Sequence, residues 1–304
     1  MADKQAVTLE SRGILRLAGD DLRPFLQGIV SNDVKRVAPE RAIWSAFLTP
    51  QGKFLHEFFL IEQNGAFLLD GEAERLDDLK RRMTLYKLRS KVTIEDAREE
   101  IAVAALFGPL ALEALGLPEE PGAAKALGGG LVFVDPRLPG LGARALLPRG
   151  EAEETLRAAG FQVAAPEDYD RLRIWLGVPD GSRDLEVERS ILLENGFDEL
   201  NGVDWQKGCF LGQELTARTK YRALIKKRLL PVEIDGPVPA PGTPLMAGGK
   251  EVGVMRSTSD RFGLALLRLD AALDESLSLS AGEAALRPCR PDWIELPKEE
   301  QAKG

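Results

Sequence analysis

Apolar residues recur along this chain in two rhythms, one of about 3.6 and one of 2, and the switches between them mark the elements. In "DDLRPFLQGIVSNDV" the positions Leu22, Phe25, Leu26 and Ile29 fall on one helical face. The next stretch, "AIWSAFLTPQGKFLHEFFLIEQNGAFLLD", reads as three strands. They are joined by turns at Pro50-Gln51-Gly52 and at Asn64-Gly65, the latter a strong hairpin signal. "EAERLDDLKRRMTLYKL" is amphipathic at helical spacing, and "SKVTIED" follows as a strand. A second α/β segment opens at "IAVAALFG". It continues through "LVFVDPRLPGLGARALLP", two strands about a Pro/Gly turn, and the helix "GEAEETLRAAGF". A further helix is expected over 169–177, ended by "GVPDGS". From Arg228 onward Pro and Gly become frequent and only short strands remain, with a hairpin about Gly248-Gly249. That predicts a small all-β domain, most simply a barrel. The closing "PKEEQAKG" reads as a loose tail.

At 304 residues there is room for two domains or more, and 44% hydrophobic with 29% charged residues is ordinary for a globular protein. The formal net charge of −8 argues against a broad nucleic-acid footprint. No apolar run reaches the 18 or so residues that span a bilayer. The N-terminal "MADKQAVTLESRG" has neither an apolar signal core nor an Arg-rich leader pattern, so a cytoplasmic location is expected. Only two cysteines are present, Cys209 and Cys289, in unlike surroundings; this favours free thiols in a reducing compartment. With one histidine, His56, multi-His zinc sites are excluded, and two sulfurs are too few for the four-cysteine set of an iron–sulfur cluster.

The chemistry-bearing stretch is "DWQKGCFLGQELTARTKYR", residues 204–222. Gly208 and Gly212 flank "CFL", which predicts a sharp loop ahead of a helix over "GQELTARTKY". Glu214 and Arg218 stand four apart on that helix, the spacing of an ion pair. A thiol just before a helix N-terminus, two residues after Lys207, is placed for a lowered pKa and thiolate chemistry. The same loop suits an anion. The plainer reading makes Cys209 a small buried hydrophobe under a loop with Lys207 solvated, and both stand at this point. Cys289, in "RPCRPDW", reads as structural. His56, in the strand "KFLHEFFL" beside Glu57, reads either as a base or as a half-buried strand residue. "LGGGLVFV" lacks the Lys-Ser/Thr of a phosphate loop and leads into a strand, so it is set aside. Lys87, Arg89, Lys91, Arg171 and Arg173 are solvated faces or a funnel for an acidic tail.

These segments together resemble the YgfZ family, whose signature is Lys-Gly-Cys-aromatic-x-Gly-Gln-Glu with a nearby Arg, matched here by "KGCFLGQELTAR". "FLQGIVSNDV", "FLTPQGKFL", "YKLRSKV", "DPRLPGLGAR" and "LRIWLGVP" are similar to its other blocks, in order. "LLENGFDELNGVDWQKGCFLGQELTART" resembles the mitochondrial iron–sulfur assembly branch of that family. The resemblance implies an α+β fold like the glycine-cleavage T-protein: a folate-binding α/β region in a cloverleaf arrangement, then a C-terminal antiparallel β-barrel. Domains are then expected at 1–227 (subdomains at about 1–100 plus 166–227, and 101–165) and 228–297, with a tail at 298–304. It further implies tetrahydrofolate binding and a role in maturing iron–sulfur clusters in target enzymes, with a link to tRNA modification in the bacterial branch. Iron–sulfur client or carrier proteins are the implied partners, with a monomeric chain, no direct nucleic acid, no membrane and no stably bound metal.

By this carry-over Cys209 and Lys207 bear the chemistry, and Gly208, Gly212, Gln213, Glu214 and Arg218 complete the motif; Glu57 is a further catalytic candidate, from its own strand position. Asn32, Asp33, Tyr86, Arg89, Trp175 and Glu194 are the implied folate-binding set. The aminomethyltransferase relatives carry an Asp pair where this chain has His56 and Glu57, and an acidic residue where it has Trp175. A carboxylate grips the amino-pyrimidine edge of a pterin through paired hydrogen bonds, whereas Trp175 stacks. Glu194 reads either as a substitute carboxylate or as a solvated loop charge. One sulfur cannot hold a cluster, so a partner or a small thiol such as glutathione supplies the other ligands. The alternative is a folate-dependent one-carbon transferase with Glu57 as the acting carboxylate. A thiol redox enzyme and a pure interaction module are the remaining readings.

Overall fold

The computed structural model describes residues 3–222, 225–274 and 276–295; the expected tail at 298–304 lies outside them. The chain divides into two compact units. The first comprises Met1–Leu48, Leu55–Tyr169 and Leu200–Leu211, and the second Thr49–Phe54, Asp170–Glu199 and Gly212–Gly304. The second unit takes in segments 170–199 and 212–227 together with the barrel.

Two sheets build the first unit. One has five strands in the order Ile43–Leu48, Phe54–Gln63, Ala66–Glu72, Arg12–Ala18, Thr93–Asp96. The turn between its second and third strands is the predicted one: Asn64 and Gly65 have φ of 53° and 77°, the left-handed pair a tight hairpin requires. The helices Leu22–Ile29 and Leu76–Lys87 bury the faces read from the sequence, Leu22, Phe25, Leu26 and Ile29 on one and Leu76, Leu79 and Met83 on the other. The other sheet has six strands in the order Gln162–Val163, Gln5–Thr8, Ile101–Phe107, Ala143–Pro148, Gly130–Val134, Ala124–Leu127. One of its faces packs in a core that takes in Ala111, Leu115, Ala152, Leu156 and Phe161.

Strand residues point alternately to the two faces of a sheet. Asp70 pairs with Ile14 on one side and Phe59 on the other. Arg12, two before Ile14, and Glu57, two before Phe59, therefore share a face with Asp70. His56 points to the opposite face. This register decides the chemistry described below.

In the second unit six strands close into an antiparallel barrel. Their order is Lys227–Asp235, Phe262–Arg268, Lys250–Ser259, Pro244–Ala247, Leu279–Ala281, Ala284–Pro288. Its interior is aliphatic, with Leu230, Val232, Leu245, Met255, Ala265 and Leu267 buried. Closure removes the free sheet edges that so small a β-domain would otherwise expose.

Candidate functional site

Two places in the first unit contain the residues expected to carry chemistry, and they are built in opposite ways. On the shared sheet face, Glu57 is 3% exposed and both of its oxygens are occupied. Oε1 accepts from Arg12 Nη1, and Oε2 accepts from the Trp44 indole at 2.5 Å. Arg12 Nε also donates to Asp70 Oδ1 at 2.7 Å, and Arg144, from the facing sheet, donates to Asp70 Oδ2 through Nε at 3.0 Å and Nη2 at 2.7 Å. Arg137 pairs with Asp135 at 2.8 Å. The Phe59 ring lies beneath the guanidinium groups of Arg144, Arg137 and Arg12, at 4.2, 5.0 and 5.5 Å from its centroid. Burial alone raises the Asp70 pKa, but the Arg12 and Arg144 charges overcome it and hold the carboxyl below its ordinary value. Three guanidiniums thus meet three carboxylates in a dry, charge-balanced cluster.

Glu57 therefore serves as a counter-ion inside this cluster. His56, on the opposite strand face, is 3% exposed, with Nε2 3.0 Å from Asp78 Oδ2. Burial, aided by the nearby Arg75 charge, pushes its pKa down to about 4, so it is neutral near pH 7.

The second place is the loop carrying Cys209. The thiol is free and exposed. Lys207 is only 8% exposed, and its Nζ donates to the Gln27 carbonyl at 2.7 Å and the Val30 carbonyl at 2.5 Å. The last carbonyls of a helix lack intrahelical partners, and a cation there is favoured by the helix dipole. Lys207 is thus a C-terminal cap for the helix Leu22–Ile29. Its ammonium group is held by those two carbonyls. Burial pushes its pKa down to about 8, against the opposing pull of Asp33 and Asp204. Leu211 N donates to Gly28 O at 3.0 Å, a second tie to the same helix end. Between the two ties Gly208 takes φ +89°, a left-handed conformation that suits glycine.

Asn32 and Asp33, both expected at a folate site, hold this neighbourhood together. Asn32 Nδ2 donates to the Trp44 and Asn201 carbonyls, each at 2.7 Å, and its Oδ1 accepts from Asp33 N. Asp33 Oδ1 accepts from Lys35 N at 3.1 Å and from Gln27 Nε2 at 2.9 Å. Tyr86 is exposed at the end of its helix, its ring edge-on to Phe47 at 5.5 Å, and Arg89 is exposed in the loop that follows.

The remaining expected residues belong to the second unit. Gly212 has φ +79° at the cap of the helix Gln213–Tyr221, on which Gln213 is half-buried while Glu214 and Arg218 are exposed. Among the described residues no ion pair joins Glu214 to Arg218, because on an exposed face water competes successfully for both charges. Trp175 is 54% exposed and edge-on to Phe262 at 4.9 Å. Glu194 is half-buried and, among the described residues, no hydrogen-bond donor reaches its carboxylate. Burial raises its pKa, with Lys227 and Lys53 pulling the other way. Among the described residues no group of three or more His, Cys, Asp or Glu side chains is placed to hold a metal ion.

Known proteins resemble this chain over most of its length. The iron–sulfur cluster assembly factor IBA57 of human mitochondria is 34% identical over 94% of this chain and 84% of its own length; the mouse protein is 32% identical over the same shares. The chain belongs to the IBA57 family. Residues 226–296 also match the family of the CAF17 C-terminal β-barrel domain. The glycine cleavage system aminomethyltransferase T of Bartonella henselae superposes with a TM-score of 0.77 over 96% of this chain and 87% of that one, at 14% identity, which shows a shared fold. The T-protein-like α+β fold with a closed C-terminal barrel thus stands. Two expectations change. The YgfZ resemblance narrows to the IBA57 line, whose names carry no link to tRNA modification. The cytoplasmic placement is overturned, because the human, mouse and fungal relatives are all named as mitochondrial. That expectation rested on a short N-terminal stretch, whereas kinship rests on nearly the whole chain.

Gln27, Arg12, Asp70 and Arg144 were missed in the sequence. Asp70, in "AFLLDGE", did carry a signal: a lone carboxylate inside an apolar strand needs a buried partner.

Proposed function

We propose that this chain assists iron–sulfur cluster assembly or repair in target enzymes by offering Cys209 as one exchangeable sulfur ligand. The observation that carries this reading is an exposed thiol on a loop tied down on both sides, in a member of an assembly-factor family. On ligation the thiol gives its proton to solvent, and the sulfur lone pair bonds iron as a weaker ligand leaves; reversal releases the cluster. The client, a carrier or a small thiol supplies the other ligands. In cells lacking this gene, the wild-type chain should restore a four-iron cluster enzyme, and Cys209→Ala at equal protein level should not. Equal rescue by both would remove the thiol from the mechanism.

Tetrahydrofolate or a derivative is the proposed small-molecule ligand. In the second unit Glu194 fits it as a half-buried carboxylate, without a hydrogen-bond donor among the described residues, able to accept from a pterin amino-pyrimidine edge, and Trp175 as an exposed aromatic surface. Asn32 and Asp33 fit it less well, since their hydrogen bonds are already made within the protein. Glu194→Gln should weaken tetrahydrofolate binding at least tenfold in a fluorescence titration; unchanged affinity would remove Glu194 from the site. The transferase reading gains no support, because Glu57 would have to leave both Arg12 and Trp44 to act.

A further inference from the structure

The Gln27 side chain joins three segments of the first unit. Its Nε2 donates to the Lys207 carbonyl at 3.1 Å and to Asp33 Oδ1 at 2.9 Å, while its Oε1 accepts from Val34 N at 2.8 Å. Both amide hydrogens and the amide oxygen are thereby used, which fixes the orientation of the group as well as its place. The Lys207 carbonyl belongs to the peptide joining Lys207 to Gly208. Holding that oxygen fixes the plane from which Gly208 turns at φ +89° and from which Cys209 projects. The neighbouring ties do different work. Lys207 Nζ satisfies helix carbonyls at the end of a long flexible stem, and Leu211 N anchors the loop downstream of the thiol. Neither sets the 207–208 peptide plane.

We propose that Gln27 is a positioning residue for Cys209: its amide clamps the peptide that aims the thiol outward. This rests on the cluster-ligand reading of Cys209 above. A ligand shared with a second protein must meet iron at a bonding distance of about 2.3 Å, as thiolate does on zinc. A loop free to wander holds the sulfur in that direction only part of the time, and the affinity falls by the same fraction.

The test uses the full chain with Cys289→Ser and a nitroxide on Cys209, read by electron paramagnetic resonance, with thermal unfolding measured on the same samples. Gln27→Glu matches the shape and keeps the acceptor for Val34 N, but loses both donors when ionised. Gln27→Leu loses all three bonds. Both variants should shift the label from restricted to mobile by at least threefold in population. Gln27→Glu should recover the restricted signal as acid protonates its carboxyl and restores an O–H donor, whereas wild type stays flat with pH; loss of fold would worsen in acid instead. In cells, both variants should lower the four-iron enzyme activity at least threefold at equal protein level. Wild-type label mobility in Gln27→Glu at neutral pH overturns the proposal. So does full in-cell activity of both variants while Cys209→Ala is inactive. Were Gln27→Leu to misfold, the pH response of Gln27→Glu decides alone. Full activity of Cys209→Ala would sink the cluster-ligand reading while leaving the spectroscopic result to stand for the loop itself.

Discussion

The cluster around Phe59 and the loop around Cys209 belong to the same compact unit, yet they treat their reactive groups in contrary ways. In the cluster, Glu57 and Asp70 are 3% and 0% exposed, and the surrounding arginines and Trp44 occupy them. At the loop the charged residue is turned inward as a helix cap and the thiol is left in solvent. A buried charge is tolerated only with its partners in place, so the cluster acts as a cross-sheet fastening and has no carboxylate to give to a substrate. A thiol that must meet a partner gains from the reverse: rigid backbone, open sulfur. The difference assigns stability to the cluster and leaves the loop as the proposed site of function.

The sharpest way to break this comparison is to remove one charge from the cluster. Asp70→Ala leaves Arg12 and Arg144 buried without their shared counter-ion and should cost about 3–5 kcal/mol in urea unfolding. A loss under about 1 kcal/mol would mean that water already reaches the site. Cys209→Ala should give the converse pattern, with stability within about 0.5 kcal/mol of wild type and cluster-enzyme rescue lost. If Cys209→Ala unfolded the protein instead, the thiol would be a packing group and the contrast would collapse.

The smallest effect sharpens the cluster's surroundings through pH. The folded-state pKa of His56 is lowered to about 4 from an ordinary 6.5, chiefly by burial. Between those values the unfolded chain binds the proton and the folded one does not, so stability falls as pH drops from 6.5 towards 4. Asp78, which accepts hydrogen bonds from Arg82, Arg81 and His56, is held near 2, and its contribution is lost only below its ordinary 3.8. His56→Gln should therefore flatten the melting-temperature profile between pH 4 and 6.5 and leave the acid limb below. An unchanged profile would show that His56 takes up its proton within the folded state.

Much of the fold was legible because the signals are local. The helix face of Leu22, Phe25, Leu26 and Ile29, the hairpin at Asn64-Gly65 and the barrel after Arg228 each follow from spacing or turn chemistry within a dozen residues. The helix expected over 169–177 forms at Pro166–Trp175, since proline is well suited to a first helical turn. The candidate site was legible only in part. The exposed loop at Cys209 was foreseen as one of two readings, but the work of Lys207, Asn32 and Asp33 within it was not.

By itself the sequence determined which elements form, that a single motif cysteine stands among glycines, and that metal sites needing several histidines or cysteines are out of reach. Tertiary structure alone decided that Glu57 is a counter-ion and that Lys207 caps a helix 180 residues away from it in sequence. The physical reason is the range of the interactions. Helix periodicity and turn geometry act over a few neighbouring residues, whereas a buried charge takes its meaning from whichever partner the fold brings to within about 3 Å.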